Sequence, residues 1–201
     1  MKIILILLSC LFFISCGKNY TPTQKEYIAS IEKSRKEKDE FMKNDPSSPF
    51  RRDTTAHFAP LKYFDIDPDL VFTSPLHEND RKDTIIVLGT KGEERKSIKY
   101  GYLRWNFRGK EFTIHVYKNF SRRGEEYYSI WLTDKTTGKE TYNVGRYLDF
   151  EFHPDKNFIY TIDFNTAYNP WCSYSGEYSC AIPTKDDYLD IAVEAGEKKF
   201  H

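Results

Sequence analysis

The pattern of apolar and polar positions changes character twice along the 201-residue chain. Ile3 to Ile14 is an almost unbroken apolar run, interrupted only by Ser9 and Cys10 and preceded by Lys2. Beyond Thr21 the apolar positions fall at helical spacing: Tyr27, Ile28, Ile31, the aliphatic stem of Arg35, Lys38 and Phe41-Met42 line one narrow stripe. Thr21 is placed to cap this helix and Pro22 suits its first turn, while Asn44-Asp-Pro-Ser-Ser-Pro49 ends it. The pattern predicts a helix over 22–44. Its stripe sustains no heptads, and the remaining positions are mostly charged, with Glu32 and Lys36 at i,i+4 spacing. A solvated helix lying on the rest of the protein fits best, with a spacer or a partner surface as the alternative.

From Phe50 onward the period is two. Leu70–Thr73 and Thr84–Leu88 read as strands, and Gly89–Gly92 turns the chain. In Ser97–Phe107 the residues Leu103, Trp105 and Phe107 alternate with Arg104 and Asn106; after a tight turn at Arg108-Gly109-Lys110, Phe112, Ile114 and Val116 continue the alternation. Further strands are expected at Tyr127–Leu132, Tyr142–Phe152 and Phe158–Phe164, with Gly145 as a bend and turns at Asn119–Gly124, Asp134–Gly138 and His153–Asn157. The expectation is a mainly β fold: an antiparallel meander, closed as a barrel or folded as a sandwich, forming a single domain over 50–201. No strand–helix–strand alternation appears, which argues against a parallel α/β sheet.

Composition sharpens this. The chain has 15 Tyr and 15 Phe against 2 Met, and large flat side chains suit half-buried pleated surfaces. Those rings serve core and cross-strand packing, with a sugar or lipid platform as the functional alternative. Lys+Arg and Asp+Glu are both 30, so net charge is zero. Without a basic surplus or basic face, no nucleic-acid partner is expected.

The amino terminus has its own logic. A positive start and an apolar run too short to span a bilayer match a secretory signal. Phe13-Ile14-Ser15-Cys16 resembles the bacterial lipoprotein cleavage motif, with Phe13 where such signals usually carry Leu. Leu7-Leu8-Ser9-Cys10 matches by letter but would leave apolar Leu11–Ile14 after the anchor, whereas Cys16 is followed by polar residues. The reading is a signal peptide over 1–15, an acylated Cys16 and a tether over 16–21. The membrane is then a partner, and the location is the bacterial cell envelope, on the periplasmic face of the outer membrane in a Gram-negative cell.

Familiar catalytic motifs are absent: no phosphate-binding glycine loop, no His-Glu-x-x-His and no Gly-x-Ser-x-Gly. The histidines at 57, 77, 115, 153 and 201 are scattered. Cys172 and Cys180 enclose seven residues, a spacing that matches no common zinc knuckle. No metal and no cofactor is expected.

The densest segment is Tyr160–Cys172, closed by Cys180. In order along the chain stand Thr141-Tyr142, Gly145-Arg146-Tyr147-Leu148, Asp163-Phe164-Asn165, Ala167-Tyr168-Asn169-Pro170, Cys172, Cys180 and Ala195-Gly196-Glu197-Lys198. This string resembles the bacterial and archaeal family catalogued as domain of unknown function 1684, from about Lys25 to the end. Trp171, Ala181 and Asp187 depart from the family's pattern. The resemblance implies no activity, so the chemistry rests on the residues. In an oxidising compartment Cys172 and Cys180 most simply form a disulfide; the alternative is a reactive thiol, which needs neighbours that lower its pKa. Asp163, if it points inward, needs a partner, and Arg146 is the natural candidate. Arg146, Asp163, Asn165, Tyr168, Asn169 and Glu197 are therefore expected as one polar cluster. It either locks the loop onto the domain or binds a small polar ligand. A small hydrolase-like enzyme, with Asp163 and Glu197 as acid and base and Tyr168 beside them, is the rival reading.

Overall fold

The computed structural model describes residues 18–121 and 123–201. The expected signal peptide over 1–15, Cys10 and the expected acylation site Cys16 lie outside the described residues. Helix α1 (Pro22–Asn44) opens with a capping box: Thr21 Oγ1 accepts the Gln24 amide at 3.2 Å, and Gln24 Oε1 accepts the Thr21 amide at 3.0 Å. The chain does not simply break after it. Ser48 donates its hydroxyl to the Met42 carbonyl at 2.7 Å, and a one-turn helix α2 (Pro49–Arg52) carries Phe50 into a small aromatic core with Met42, Leu61, Tyr174 and Phe200.

Among the described residues nine strands follow: β1 (Val71–Pro75), β2 (His77–Glu78), β3 (Thr84–Leu88), β4 (Glu94–Phe107), β5 (Lys110–Phe120), β6 (Glu126–Asp134), β7 (Arg146–Leu148), β8 (Ile159–Asp163) and β9 (Tyr188–Leu189). The larger sheet runs β2-β4-β5-β6-β7, with β3 also beside β4 and β9 beside β6; β1 and β8 form a second, two-stranded sheet. The β4–β5 hairpin turns on two residues of positive φ, Arg108 at 51° and Gly109 at 76°, as a two-residue turn matched to strand twist requires. Its alternation holds: Leu103, Trp105, Phe112, Ile114 and Val116 are buried together on one face.

The second sheet covers that face. Phe72 of β1 stacks on Trp105 at 5.5 Å between ring centroids, and Phe164 lies against the same indole at 5.5 Å. The sheets do not close, so the barrel alternative falls: β1 and β8 pair only with each other and pack across the core. The meander is antiparallel except at β9, which runs parallel to β6. The long strand expected over Tyr142–Phe152 shrinks to β7. Gly145, at φ 112°, brings the backbone so close to β6 that a Cβ there would sit 2.5 Å from the Leu132 carbonyl oxygen. Tyr147 then exchanges backbone hydrogen bonds with Tyr168 at 2.9 and 3.0 Å, so the chain is held by a loop on its outer side. Among the described residues no helix is long and apolar enough to cross a membrane.

Candidate functional site

Strand β8 ends at Asp163, whose Oδ1 accepts the Asn165 amide at 2.9 Å and so starts the short helical turn Phe164–Thr166. Both carboxylate oxygens also accept the Tyr27 hydroxyl, at 2.8 and 2.7 Å, from helix α1. Asn165 is buried and fully matched: Oδ1 accepts the Asp67 amide, while Nδ2 donates to the Asp67 carbonyl, both at 2.8 Å, and to Asp163 at 3.1 Å.

The expected Asp163–Arg146 pair is not made. Arg146 stands opposite Leu132 in the β6–β7 ladder, which brings its guanidinium to the end of β6, where it donates to Asp134 Oδ2 at 2.9 Å. It also donates to the carbonyls of Val193 at 2.8 Å and of Ala195. Burial pulls the guanidinium pKa down, and Asp134 opposes that shift. Asp163 lies on the other sheet, with its own partners.

Glu197, 1% exposed, is the centre of a second set of contacts. Its Oε2 accepts the Asn169 amide at 2.8 Å and the Tyr174 hydroxyl at 2.6 Å. Lys38 of α1 forms an ion pair with Oε1 at 2.6 Å, and the same ammonium lies 4.7 Å from the Tyr168 ring centroid. Tyr168 donates its hydroxyl to Asp149 at 2.8 Å, and Asn169 Nδ2 donates to the Lys198 carbonyl at 2.8 Å. Asp163 and Glu197 share no hydrogen-bond partner: each accepts a tyrosine hydroxyl and a backbone amide of its own.

Helix α1 supplies residues that sequence reasoning missed. Arg35 donates to the Phe64 carbonyl at 2.9 Å, and its guanidinium lies 4.4 Å from the Tyr63 ring centroid; burial lowers its pKa. Asp39 accepts the Leu61 amide at 3.1 Å, and burial raises its pKa. Tyr27, Arg35 and Lys38 lie on the stripe read as packing; the signal was polar tips on a buried stripe. Among the described residues, three buried polar atoms around Glu197 have no hydrogen-bond partner: Arg35 Nε, Tyr63 Oη and Asn169 Oδ1. Tyr63 and Glu197 are bridged through their backbones.

Five surface cavities of 180 to 660 Å³ are lined by none of Arg146, Asp163, Asn165, Tyr168, Asn169 or Glu197. Helix α1 covers part of this set, through Tyr27 on Asp163 and Lys38 on Glu197. Cys172 and Cys180, the pair expected to form a disulfide, lie side by side as thiols in this structure: Cys180 Sγ accepts the Cys172 amide at 3.2 Å. Among the described residues no three His, Cys, Asp or Glu side chains gather as metal ligands.

A family model described as "Protein of unknown function (DUF1684)" matches residues 56–198. The chain is also similar to the solution NMR structure of the uncharacterized protein from gene locus rrnAC0354 of Haloarcula marismortui. The two share 29% identity at a TM-score of 0.60, over 88% of this chain and 96% of that one. No curated protein matches.

Proposed function

We propose that this chain, which belongs to the DUF1684 family of proteins of unknown function, is a lipid-anchored cell-envelope protein that holds a small polar ligand beneath helix α1. The observation that carries the ligand reading is the group of buried, unpartnered polar atoms around Glu197. Such atoms are costly unless something satisfies them. They include both kinds of partner. Arg35 Nε and the Tyr63 hydroxyl donate to a carboxylate or carbonyl oxygen, while Asn169 Oδ1 accepts from an amine or hydroxyl.

Helix α1 is the way in. Of its 23 residues only Ile31 and Met42 are buried, and polar contacts to Asp163, Phe64, Leu61 and Glu197 otherwise hold it. An element with little buried apolar area opens more easily than the sheets. The anchor reading rests on Lys2, the apolar run and Ser15-Cys16. Binding is favoured over hydrolysis because the two candidate acids serve separate partners.

Native mass spectrometry of the chain purified without denaturation tests the ligand. The expected spectrum shows a small adduct on the parent protein and none on a folded Glu197→Gln variant. A bare polypeptide mass, with no thermal shift from a panel of amino acids, sugars and polyols, would leave the cluster purely structural. For the anchor, labelled palmitate should be incorporated and Cys16→Ser should abolish it; unchanged labelling defeats that half.

A further inference from the structure

The free cysteines differ in surroundings in a way that a structural pair does not need. Cys172 sits in the helical turn Trp171–Ser173 and is half-buried; Cys180 is buried. Cys180 is clamped to the turn after β3, its amide donating to Thr90 Oγ1 at 3.2 Å and its carbonyl accepting the Thr90 amide at 2.9 Å. Tyr142, half-buried, aims its hydroxyl at Cys172, 3.3 Å from the carbonyl oxygen and 3.9 Å from Sγ. The half-buried cysteine thus faces a phenolic donor, and the buried cysteine lies beside it on a fixed backbone.

We propose that Cys172 and Cys180 form a thiol–disulfide exchange site, with Cys172 as the attacking sulfur, Cys180 as the resolving one, and a disulfide-bearing molecule as substrate. Cys172, having lost its proton to solvent, attacks one substrate sulfur. The substrate S–S bond breaks, a Cys172 mixed disulfide forms, and the leaving thiolate takes up a proton. Cys180 then loses its proton, attacks the Cys172 sulfur and expels the second substrate thiolate, which is protonated in turn. One protein dithiol is oxidised, one disulfide is reduced to two thiols, and the reverse sequence restores the start.

The electrostatics agree with this division of roles. Hydrogen bonds from Cys180, Tyr142 and Thr90 bring Cys172 down to about 7, while its neighbour and burial push Cys180 up. Burial raises the Tyr142 phenol, which keeps it a donor. The inference is independent of the ligand reading.

The test uses glutathione and its disulfide as probes on the folded chain, with alkylation quenching and peptide mapping. At pH 7, Cys172 should be alkylated about tenfold or more faster than Cys180. Shifting the glutathione ratio should interconvert dithiol and intramolecular disulfide. Cys180→Ser should trap glutathione on Cys172, whereas Cys172→Ser should leave Cys180 almost unmodified. Tyr142→Phe should move the pH midpoint of Cys172 alkylation upward. A pair that stays oxidised at every glutathione ratio, or thiols that react only after unfolding, would overturn the proposal without touching the mass-spectrometric test of ligand binding.

Discussion

Replacing Arg146 by methionine tests the buried ion pair that the structure puts in place of the expected one. The guanidinium is 1% exposed and bonds Asp134 and the carbonyls of Val193 and Ala195. Methionine fills most of the volume but donates nothing. Asp134 Oδ2 and two carbonyls then lose their donor. Removing one partner of a buried pair costs about 3–5 kcal/mol. Here the lower half of that range applies, because Asp134 Oδ1 still accepts the Thr136 amide at 2.7 Å, the Thr136 hydroxyl at 2.6 Å and the Val193 amide at 3.3 Å. For a chain of this size each kcal/mol moves Tm by about 2–4 °C, so a fall of roughly 6–16 °C is expected. Urea unfolding of the parent, Arg146→Met, Asp134→Leu and the double variant measures it. The double variant should be more stable than the sum of the single losses implies, since neither charge is left alone. A loss below about 1 kcal/mol for Arg146→Met, or strict additivity, would mean that Arg146 and Asp134 are not a buried, mutually dependent pair.

Tyr27→Phe removes the hydroxyl that α1 donates to Asp163 and should cost about 1–2 kcal/mol in chemical denaturation; an unchanged midpoint would mean the contact is not made in solution. Gly145→Ala adds a Cβ at φ 112° against the Leu132 carbonyl and should cost more than about 2 kcal/mol, whereas Gly92→Ala, at φ 85° in open space, should cost about 1 kcal/mol. Burial between β4 and β6, with Lys99 beside it, lowers His115 from 6.5 to about 4, while Asp186 opposes the shift. Its contribution is complete above pH 6.5 and is lost as pH falls towards 4, so Tm measured against pH should fall less steeply over that window in His115→Gln.

The parts of the fold legible in the sequence are those set by local chemistry. Thr21, Pro22 and Gln24 fix where α1 starts, and the alternation about Arg108-Gly109 fixes the β4–β5 hairpin. What stayed hidden depends on contacts distant in sequence. The parallel β6–β9 pairing and the second sheet of β1 and β8 join segments far apart in the chain. Asp134 illustrates the difficulty at the site. Its place in a turn is readable, and its Oδ1 does hold that turn, but nothing local reveals that Oδ2 receives Arg146. Glu197 and Asn169 do meet, whereas Asp163 turns to a tyrosine on α1 that periodicity marks only as a packing residue.

Hydrogen exchange followed residue by residue tests whether α1 is a displaceable cover, held by polar contacts over the proposed ligand seat. The amides of α1 beyond its first turn should open with a free energy well below that of the β4–β5 hairpin, and Glu197→Gln should lower it further by removing the partner of Lys38. Protection of α1 equal to that of the hairpin, unchanged in Glu197→Gln, would make the helix part of the core and contradict the account.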